Sequence, residues 1–326
     1  MPAISLDQIE NTTHAALFRR GCRDDIAHDV AAAVRAAEAN GNRICGLYYV
    51  ESYCRQLETG RLPTDTDPVV THPRPGSVRV DARLGFAQTA FRVGFDTAVA
   101  AARANGIVGY AIEHSHTCTS LGYFTEQFAR AGFVALGATN ATPRVAAPGG
   151  KHRVLGTNPI AFAVPDGAGG VAFQFDFSTS AVALGRITMA QAAGEPIPLG
   201  WAVDIDGNPT TDADAALAGS LVSAGGYKGY GLGLLVEVLA AALTGSNRSV
   251  DVPPLKTPDG PPHDLGQYYV VIDPAAHDAG FVDAIAGLAA TIEADPGARL
   301  PGAARTPDDP VDVPDALWDL MLNLAG

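Results

Sequence analysis

The sequence is poor in the features that define several protein classes at once. Lysine occurs three times, at Lys151, Lys228 and Lys256, and Lys and Arg together number 22 against 35 Asp and Glu. The formal net charge is −13 and the pI is near 4.9. That balance argues against a nucleic-acid binder or a protein held on a membrane surface, since both need basic surface. It leaves room for a small anion, because the field inside a site can oppose the net charge. The four cysteines (Cys22, Cys45, Cys54, Cys118) contain no CxxC pair and no metal-type spacing, and four in 326 residues make no disulfide scaffold. The N-terminus shows no basic-then-apolar signal pattern. The longest apolar span, 229–246, carries Glu237 midway and reads as a buried helix, not a membrane span. The expectation is a soluble protein of the reduced cytoplasm. No GxGxxG, GxxxxGK[ST] or GxSxG run occurs, so any nucleotide must be read by another fold.

What is present is a chain that is 47% apolar, enough for a sizeable core. At roughly 100–200 residues per domain, it holds two domains or one large one. Ser5 and Gln8 match a capping box opening a short helix. Residues 24–40 place Ile26, Val30, Val34 and Ala37 on one helical face, with Gly41 as a stop. A third helix is expected over 48–59. The stretch 62–76 holds four prolines and reads as an extended connection. From residue 86 helix and strand alternate. Helices are expected at 86–104, 121–131, 181–193, 229–243, 276–294 and 315–322. Strands are expected at 107–112, 133–138, 160–164, 171–177 and 267–272. The proline-rich stretch 246–266 reads as a long loop and a candidate lid. There is no internal repeat, and the layout is α/β or α+β.

Four stretches could carry chemistry. His114 and His116 lie between a strand and a helix, where α/β proteins place ligands, and histidines there could move protons near neutral pH; a strand-to-helix turn with locally satisfied rings is an equal reading. Gly149 and Gly150 precede Lys151, His152 and Arg153, a local cationic patch suited to phosphate or carboxylate, or simply an exposed turn. Asp176 stands between Phe175 and Phe177 at a strand end, followed by Ser178, Thr179 and Ser180. The hydroxyls are explained by capping a helix at Ala181, whereas Asp176 is not. Gly225, Gly226, Lys228 and Gly229 open the long helix; a lysine at a helix start points to an anion there, the alternative being a tight loop whose glycines serve packing only. The turn from Asp204 to Pro209 speaks only of structure.

Taken in order, these stretches resemble the malate/L-lactate dehydrogenase family that lacks a Rossmann fold, which includes sulfolactate, ureidoglycolate and diketogulonate oxidoreductases and cyclic ketimine reductases. The matching elements are Thr139-Asn140 with Pro143, Gly149-Gly150, Leu155 to Pro159, Asp176 to Ser180, Ile197 to Trp201, Asp204, Pro209 to Asp212, Gly225 to Leu232, and Ile272 to Pro274. The resemblance covers about residues 5–305. It implies a non-Rossmann α/β fold with a mixed sheet and a helical N- and C-terminal region. It also implies a substrate-side domain over 1–112 joined by 300–326, an NAD(P)-binding domain over 113–299, a homodimer, and NADPH or NADH as hydride carrier. The cofactor would be lined by Thr157, Asn158, Asp176, Ser178, Thr179, Lys228, Gly229, Pro301 and Gly302.

The departures from the family pattern bear on the chemistry. The family's Ser-His-Gly, with a proton-donor histidine, falls on Ile44-Cys45-Gly46, and its downstream arginine falls on Tyr49. A second histidine falls on Thr117, with His116 one place earlier, and a third on Gln267. Cys45, Tyr49, Tyr53 and Thr117 are therefore expected to face the substrate. His116 is the best remaining proton donor, and Asp176 an orienting group. Reducing a ketone needs a proton at oxygen as well as a hydride, and acid–base help there is typically worth ~10²–10⁴-fold. A protonated imine needs only the hydride. The expectation is thus an NAD(P)H-dependent reductase of a cyclic imine beside a carboxylate. The alternatives are a 2-oxo acid or 2-hydroxy acid dehydrogenase using His116, and a non-catalytic nucleotide or metabolite binder.

Overall fold

Ser5 closes the expected capping box with Gln8, and the helix it opens is the first of a group that carries one wall of the site. The computed structural model describes residues 2–302 and 308–326. Its helices are α1 (Leu6–Phe18), α2 (Asp24–Ala39), α3 (Leu47–Thr59), α4 (Ala87–Asn105), α5 (Gly122–Arg130), α6 (Leu184–Ala193), α7 (Ala213–Ala218), α8 (Tyr227–Glu237), α9 (Phe281–Glu293) and α10 (Asp315–Ala325). Its strands are β1 (Ala3–Ile4), β2 (Val69–Arg74), β3 (Ser77–Asp81), β4 (Ile107–Ser115), β5 (Val134–Thr139), β6 (Val145–Ala146), β7 (Arg153–Leu155), β8 (Ile160–Pro165), β9 (Val171–Phe177), β10 (Ala202–Val203), β11 (Pro209–Thr210), β12 (Ser220–Leu221), β13 (Leu265–Ile272) and β14 (Val311–Asp312).

Helices α1, α2, α3 and α10 bury Ile9, Leu17, Ile26, Val30, Tyr53 and Met321 against one another. The predicted stripe Ile26, Val30, Val34, Ala37 is the buried face of α2. The two-stranded pairing of β1 with β14 sets Ile4 opposite Val311 and brings both chain ends to this group. The main sheet runs β2-β3-β4-β13-β5-β8-β9. Only β3 and β4 run parallel within it, so the sheet is mixed and has no Rossmann order. Strand β13 returns from late in the chain to lie between β4 and β5, and it sets Tyr269 beside Tyr110 and Gly137. Those rings join Phe91, Phe124 and Phe128 in an aromatic core under α4 and α5. A smaller sheet, β11-β10-β12-β6-β7, packs with α6 and α7 around a third core.

Several boundaries differ from expectation, each for a physical reason. The proline-rich connection contains β2, an edge strand in which Pro73 needs no ladder donor. Helix α6 starts at Leu184 with Ala183 at its N-cap, so the hydroxyls at 178–180 do not cap it. They are used earlier: Thr179 bonds back to the Thr157 carbonyl, and the Ser180 hydroxyl donates to Val182 O. The long helix splits into α8 and a π-helical stretch, Val238–Ala242. Helix α9 begins at Phe281, because a 3-10 turn, Pro274–Ala276, precedes it. The division expected after residue 112 falls inside β4, which pairs with β3 on one side and β13 on the other. The four cysteines are free. Among the described residues, no helix is long and apolar enough to cross a membrane.

Candidate active site

The C-terminal end of α2, the start of α5, the end of β9 and residues 299–302 enclose a cavity of about 570 Å3. Of the expected site residues, Asp176, Pro301 and Gly302 line it. Asp176 comes from the end of β9, and its Oδ2 accepts a hydrogen bond from the Gly122 N–H at 2.8 Å. Gly122 is the first residue of α5, so the carboxylate sits at a helix N-terminus, where negative charge is favoured. A Cβ on Gly122 would come within 3.1 Å of the Asp176 Cβ, so glycine permits this approach. The side chain is exposed to the cavity, and the protein packed round its carboxyl raises its pKa, opposed by the backbone N–H groups of Gly122 and Leu121.

Cys45 stands within the field of Asp176. Burial first, and the Asp176 charge second, push its thiol up to about 12, against a hydrogen bond from the Asn42 side chain and the charge of Lys256. The thiol is therefore protonated at neutral pH. Asn42 itself lines the cavity and donates to the Ser120 hydroxyl at 3.3 Å. The backbone around Cys45 is set by a residue the sequence reading passed over. Glu38, buried on α2, accepts from the Leu47 N–H at 2.7 Å and so satisfies the start of α3. A Cβ on Gly46 would lie 2.2 Å from the Glu38 carboxylate, which explains the glycine. Burial raises the pKa of Glu38.

The other substrate-side candidates lie behind this wall. Tyr49 is buried, with the Lys256 ammonium 5.1 Å from its ring centroid, and Tyr53 is fully buried beside it. His116 is 2% exposed and is absent from the cavity lining. Its Nε2 lies 2.7 Å from Gln56 Oε1, so Nε2 carries the proton and Nδ1 is left as a buried acceptor without a partner. Its ring stacks on His263, with centroids 3.8 Å apart and planes at 23°. His263 Nδ1 accepts from the Thr117 N–H at 3.4 Å, which buries Thr117 as well. Burial, His263 and Arg61 together hold the His116 pKa well below its usual value. Burial and Arg61 bring His263 to about 3. Both rings are neutral at physiological pH.

Arg61, Gln56 and His263 carried no sequence signal, because their roles come from distant parts of the chain. Buried Arg61 donates to the carbonyls of Pro261, Thr257 and Pro254, and Gln56 donates to Leu255 O and Thr257 O. Together they clamp the 253–262 loop onto α3. Gln267, which stands where the family has a histidine, is buried and donates to the Ser115 hydroxyl at 2.7 Å.

The remaining cofactor candidates gather in a second neighbourhood at the start of α8. Thr179 donates to the Thr157 carbonyl from both its N–H and its hydroxyl. Asn158 is fully buried and donates to Gly233 O and Glu237. Gly229 packs so closely that a Cβ would lie 2.3 Å from Ala224 O. The Ser178 hydroxyl lies 2.9 Å from the Ser180 Oγ, which can accept from it. Lys228 is exposed in the first turn of α8, after Gly225 and Gly226, both at positive φ. None of these six lines the cavity.

The cavity is large enough to take a ligand. Its size lies within the ~300–1,000 Å3 usual for ligand sites. Arg299 supplies a cation, Phe175 and Pro301 supply flat apolar surface, and the buried Gln174 Oε1 is an acceptor with no partner. Residues 301–302 lie directly on β9: Gln174 N–H donates to Pro301 O at 3.0 Å, and a Cβ on Gly302 would meet Gln174 O at 2.8 Å.

A mixed, non-Rossmann sheet with this cavity and a carboxylate in its wall fits the non-Rossmann dehydrogenase class that the sequence resembles. A family model described as malate/L-lactate dehydrogenase matches residues 4–312. The chain belongs to that family. It is 41% identical over 93% of its length, and 90% of the relative's, to (2R)-3-sulfolactate dehydrogenase (NADP(+)) of Chromohalobacter salexigens. It is 35% identical over 99% of both chains to Delta(1)-pyrroline-2-carboxylate/Delta(1)-piperideine-2-carboxylate reductase of Pseudomonas aeruginosa. The crystal structure of delta1-piperideine-2-carboxylate reductase from Pseudomonas syringae pvar. tomato superimposes with a TM-score of 0.92 at 31% identity, covering 99% of this chain and 100% of that one. The chain is an enzyme, and the reading as a non-catalytic binder is set aside.

Proposed function

We propose that this enzyme reduces the C=N bond of a small cyclic imine that carries a carboxylate, with NADPH or NADH as the reductant. The observation that carries the reading is the protonation state of the site wall. Asp176 faces both the cavity and Cys45, whose thiol is protonated, and behind that wall the His116 ring is neutral with its N–H committed to Gln56. A ketone would need one of these groups to release a proton as charge builds on oxygen. A protonated imine brings its own proton, and a carboxylate is the group that stabilises such a cation in a low-dielectric site.

The bound nicotinamide supplies the hydride. For this chain's residues, Asp176 holds the iminium nitrogen, and Arg299 offers a cation to the cofactor's phosphates. The Gln174 side-chain oxygen accepts from a cofactor N–H or O–H, and Pro301 and Gly302 shape the cradle floor. Lys228 has no carboxylate partner among the described residues and remains available to a phosphate. The substrate carboxylate is drawn toward Lys256 above Tyr49. Exposed Leu232, Leu235 and Val238, on α8 and the π-helical stretch, and Leu243 just after it support a homodimer built on this face, which sedimentation velocity tests. Free cysteines fit a reducing compartment such as the cytoplasm.

A second reading, oxidation of a 2-hydroxy acid, has the 41% identical sulfolactate dehydrogenase in its favour. Steady-state assays decide between them. We expect Δ1-pyrroline- and Δ1-piperideine-2-carboxylate to be turned over with kcat/KM at least ~10²-fold above sulfopyruvate and pyruvate, the scale of acid–base assistance. The opposite order would replace imine reduction by ketone reduction.

A further inference from the structure

The chain carries a second constellation that imine reduction does not use. His14 lies one turn before the end of α1, Asp24 is the first residue of α2, and His28 lies one turn further along α2. The short connection between the helices folds these three side chains together. His14 Nε2 is 3.0 Å from Asp24 Oδ1, and His28 Nε2 is 3.8 Å from Asp24 Oδ2. The two imidazoles lie with centroids 4.0 Å apart. All three potential ligand atoms fall within 4.8 Å of one another, and this is the sole such group among the described residues. A hydrogen bond from His14 to Asp24 accounts for that pair alone. His28, exposed on the next turn of α2, packs its ring against His14 and points its Nε2 at the same carboxylate.

We propose that His14, Asp24 and His28 form a binding site for a divalent transition-metal ion of the zinc type. Two imidazoles and one carboxylate make an N2O donor set that suits Zn2+, Ni2+ or Cu2+ and not Mg2+ or Ca2+. Bonds of ~2.0–2.2 Å in a tetrahedral arrangement put ligand atoms ~3.3–3.6 Å apart, so the three atoms close on an ion by small turns of exposed side chains. Water completes the coordination. The nearby cations do not oppose it: Arg23 is paired with Asp25 and Asp67, and Arg92 with Asp25 and Asp29. The ion links the end of α1 to the start of α2, and so braces the helical group that carries α3. The site lies about 12–20 Å along α2 from the cavity-lining end at Ala36–Ala37, counted from His28 and from Asp24 at 1.5 Å per residue. It is therefore independent of the imine chemistry.

The test uses the full-length protein without an affinity tag. Calorimetric titration with Zn2+ is expected to show one ion per chain at micromolar affinity. His28→Ala and His14→Gln each weaken it by at least ~10-fold, whereas His72→Ala, at an exposed histidine elsewhere, does not. Zn2+ raises the thermal midpoint of the wild type and of His72→Ala but not of His28→Ala. The electron paramagnetic resonance spectrum of bound Cu2+ shows coupling to two imidazole nitrogens. Absence of saturable Zn2+ binding below millimolar concentration overturns the proposal. So does binding of equal strength in His28→Ala and the wild type. Retained imine turnover in His28→Ala shows that the variant is folded.

Discussion

Two polar clusters flank the substrate-side helices, one where α5 meets the end of β9 and one where α3 meets the 253–262 loop, and they behave in opposite ways. The first, Asp176 with Cys45, Asn42 and Ser120, opens onto the cavity and keeps a carboxylate within reach of a ligand. The second, His116 with His263, Gln56 and Arg61, is closed: its members are 2%, 1%, 0% and 4% exposed. Burial drives both toward neutrality, raising the acids and lowering the bases. The outcomes differ because only the first has an open face. The histidines are spent on stacking and on fixing the loop, and the guanidinium on three backbone carbonyls of that loop. A histidine in the right stretch of sequence is thus buried here, with its Nε2–H committed to Gln56 and its ring stacked on His263.

The largest expected effect tests the open cluster. Asp176→Asn keeps an acceptor for Gly122 but removes the charge, and kcat/KM for a cyclic imine should fall by ~10²–10³-fold, as for loss of a preorganised electrostatic partner. An unchanged rate would remove Asp176 from the mechanism. The next tests the closed cluster by stability. Arg61→Met leaves carbonyls of Pro254, Thr257 and Pro261 without their donor, and charged hydrogen bonds of this kind are worth ~1.5–3 kcal/mol each before relaxation. Urea unfolding should report a net loss of about 3 kcal/mol. A change within error would mean that the 253–262 loop is not held from α3.

Much of this comparison could be read from the sequence, and the illegible part has a common cause. The periodic stripe of α2, the Ser5 box and the strand ending in Asp176 are local patterns, and they appear where periodicity and capping place them. Asp176 stood out because capping could explain its hydroxyl neighbours but not its carboxylate. The hydroxyls themselves misled. Thr179 bonds to Thr157, 22 residues away, and Ser180 bonds forward to Val182, so neither caps the helix, which starts three residues later. His263, Gln56 and Arg61 were silent because each is defined by contacts some 60 to 200 residues away in the chain. His116 was visible as a histidine, but its burial under Tyr53, Phe86 and His263 was not. Glu38 was equally hidden, since its partner is the Leu47 N–H after a turn.

The histidine pair also gives the closed cluster a pH signature. Both rings have folded pKa values depressed below the usual 6.5. Above that value they are neutral in folded and unfolded chains alike, and their contribution is fully present. As pH falls from 6.5 toward about 3 for His263, the unfolded chain takes up protons that the folded chain refuses, so stability is lost. Each such histidine contributes a slope of up to about 1.4 kcal/mol per pH unit. His263→Gln should remove one histidine's share of that slope between about pH 6 and about pH 4, measured by urea unfolding. An identical slope in the variant would mean that the pair is hydrated.

The smallest effect sharpens the boundary between the clusters. Cys45→Ser exchanges one neutral, protonated group for another, because the thiol already sits near 12. If its role is to fill space beside Asp176, kcat/KM for a cyclic imine should change by less than ~10-fold, below the range for loss of a general acid. The same substitution assayed on sulfopyruvate carries the sharper information. There, a group beside the carboxylate would have to deliver a proton to oxygen. If Cys45→Ser or His116→Gln alters ketone reduction far more than imine reduction, the wall retains a working acid for oxygen chemistry. If neither does, the iminium supplies its own proton and Asp176 has only to face it.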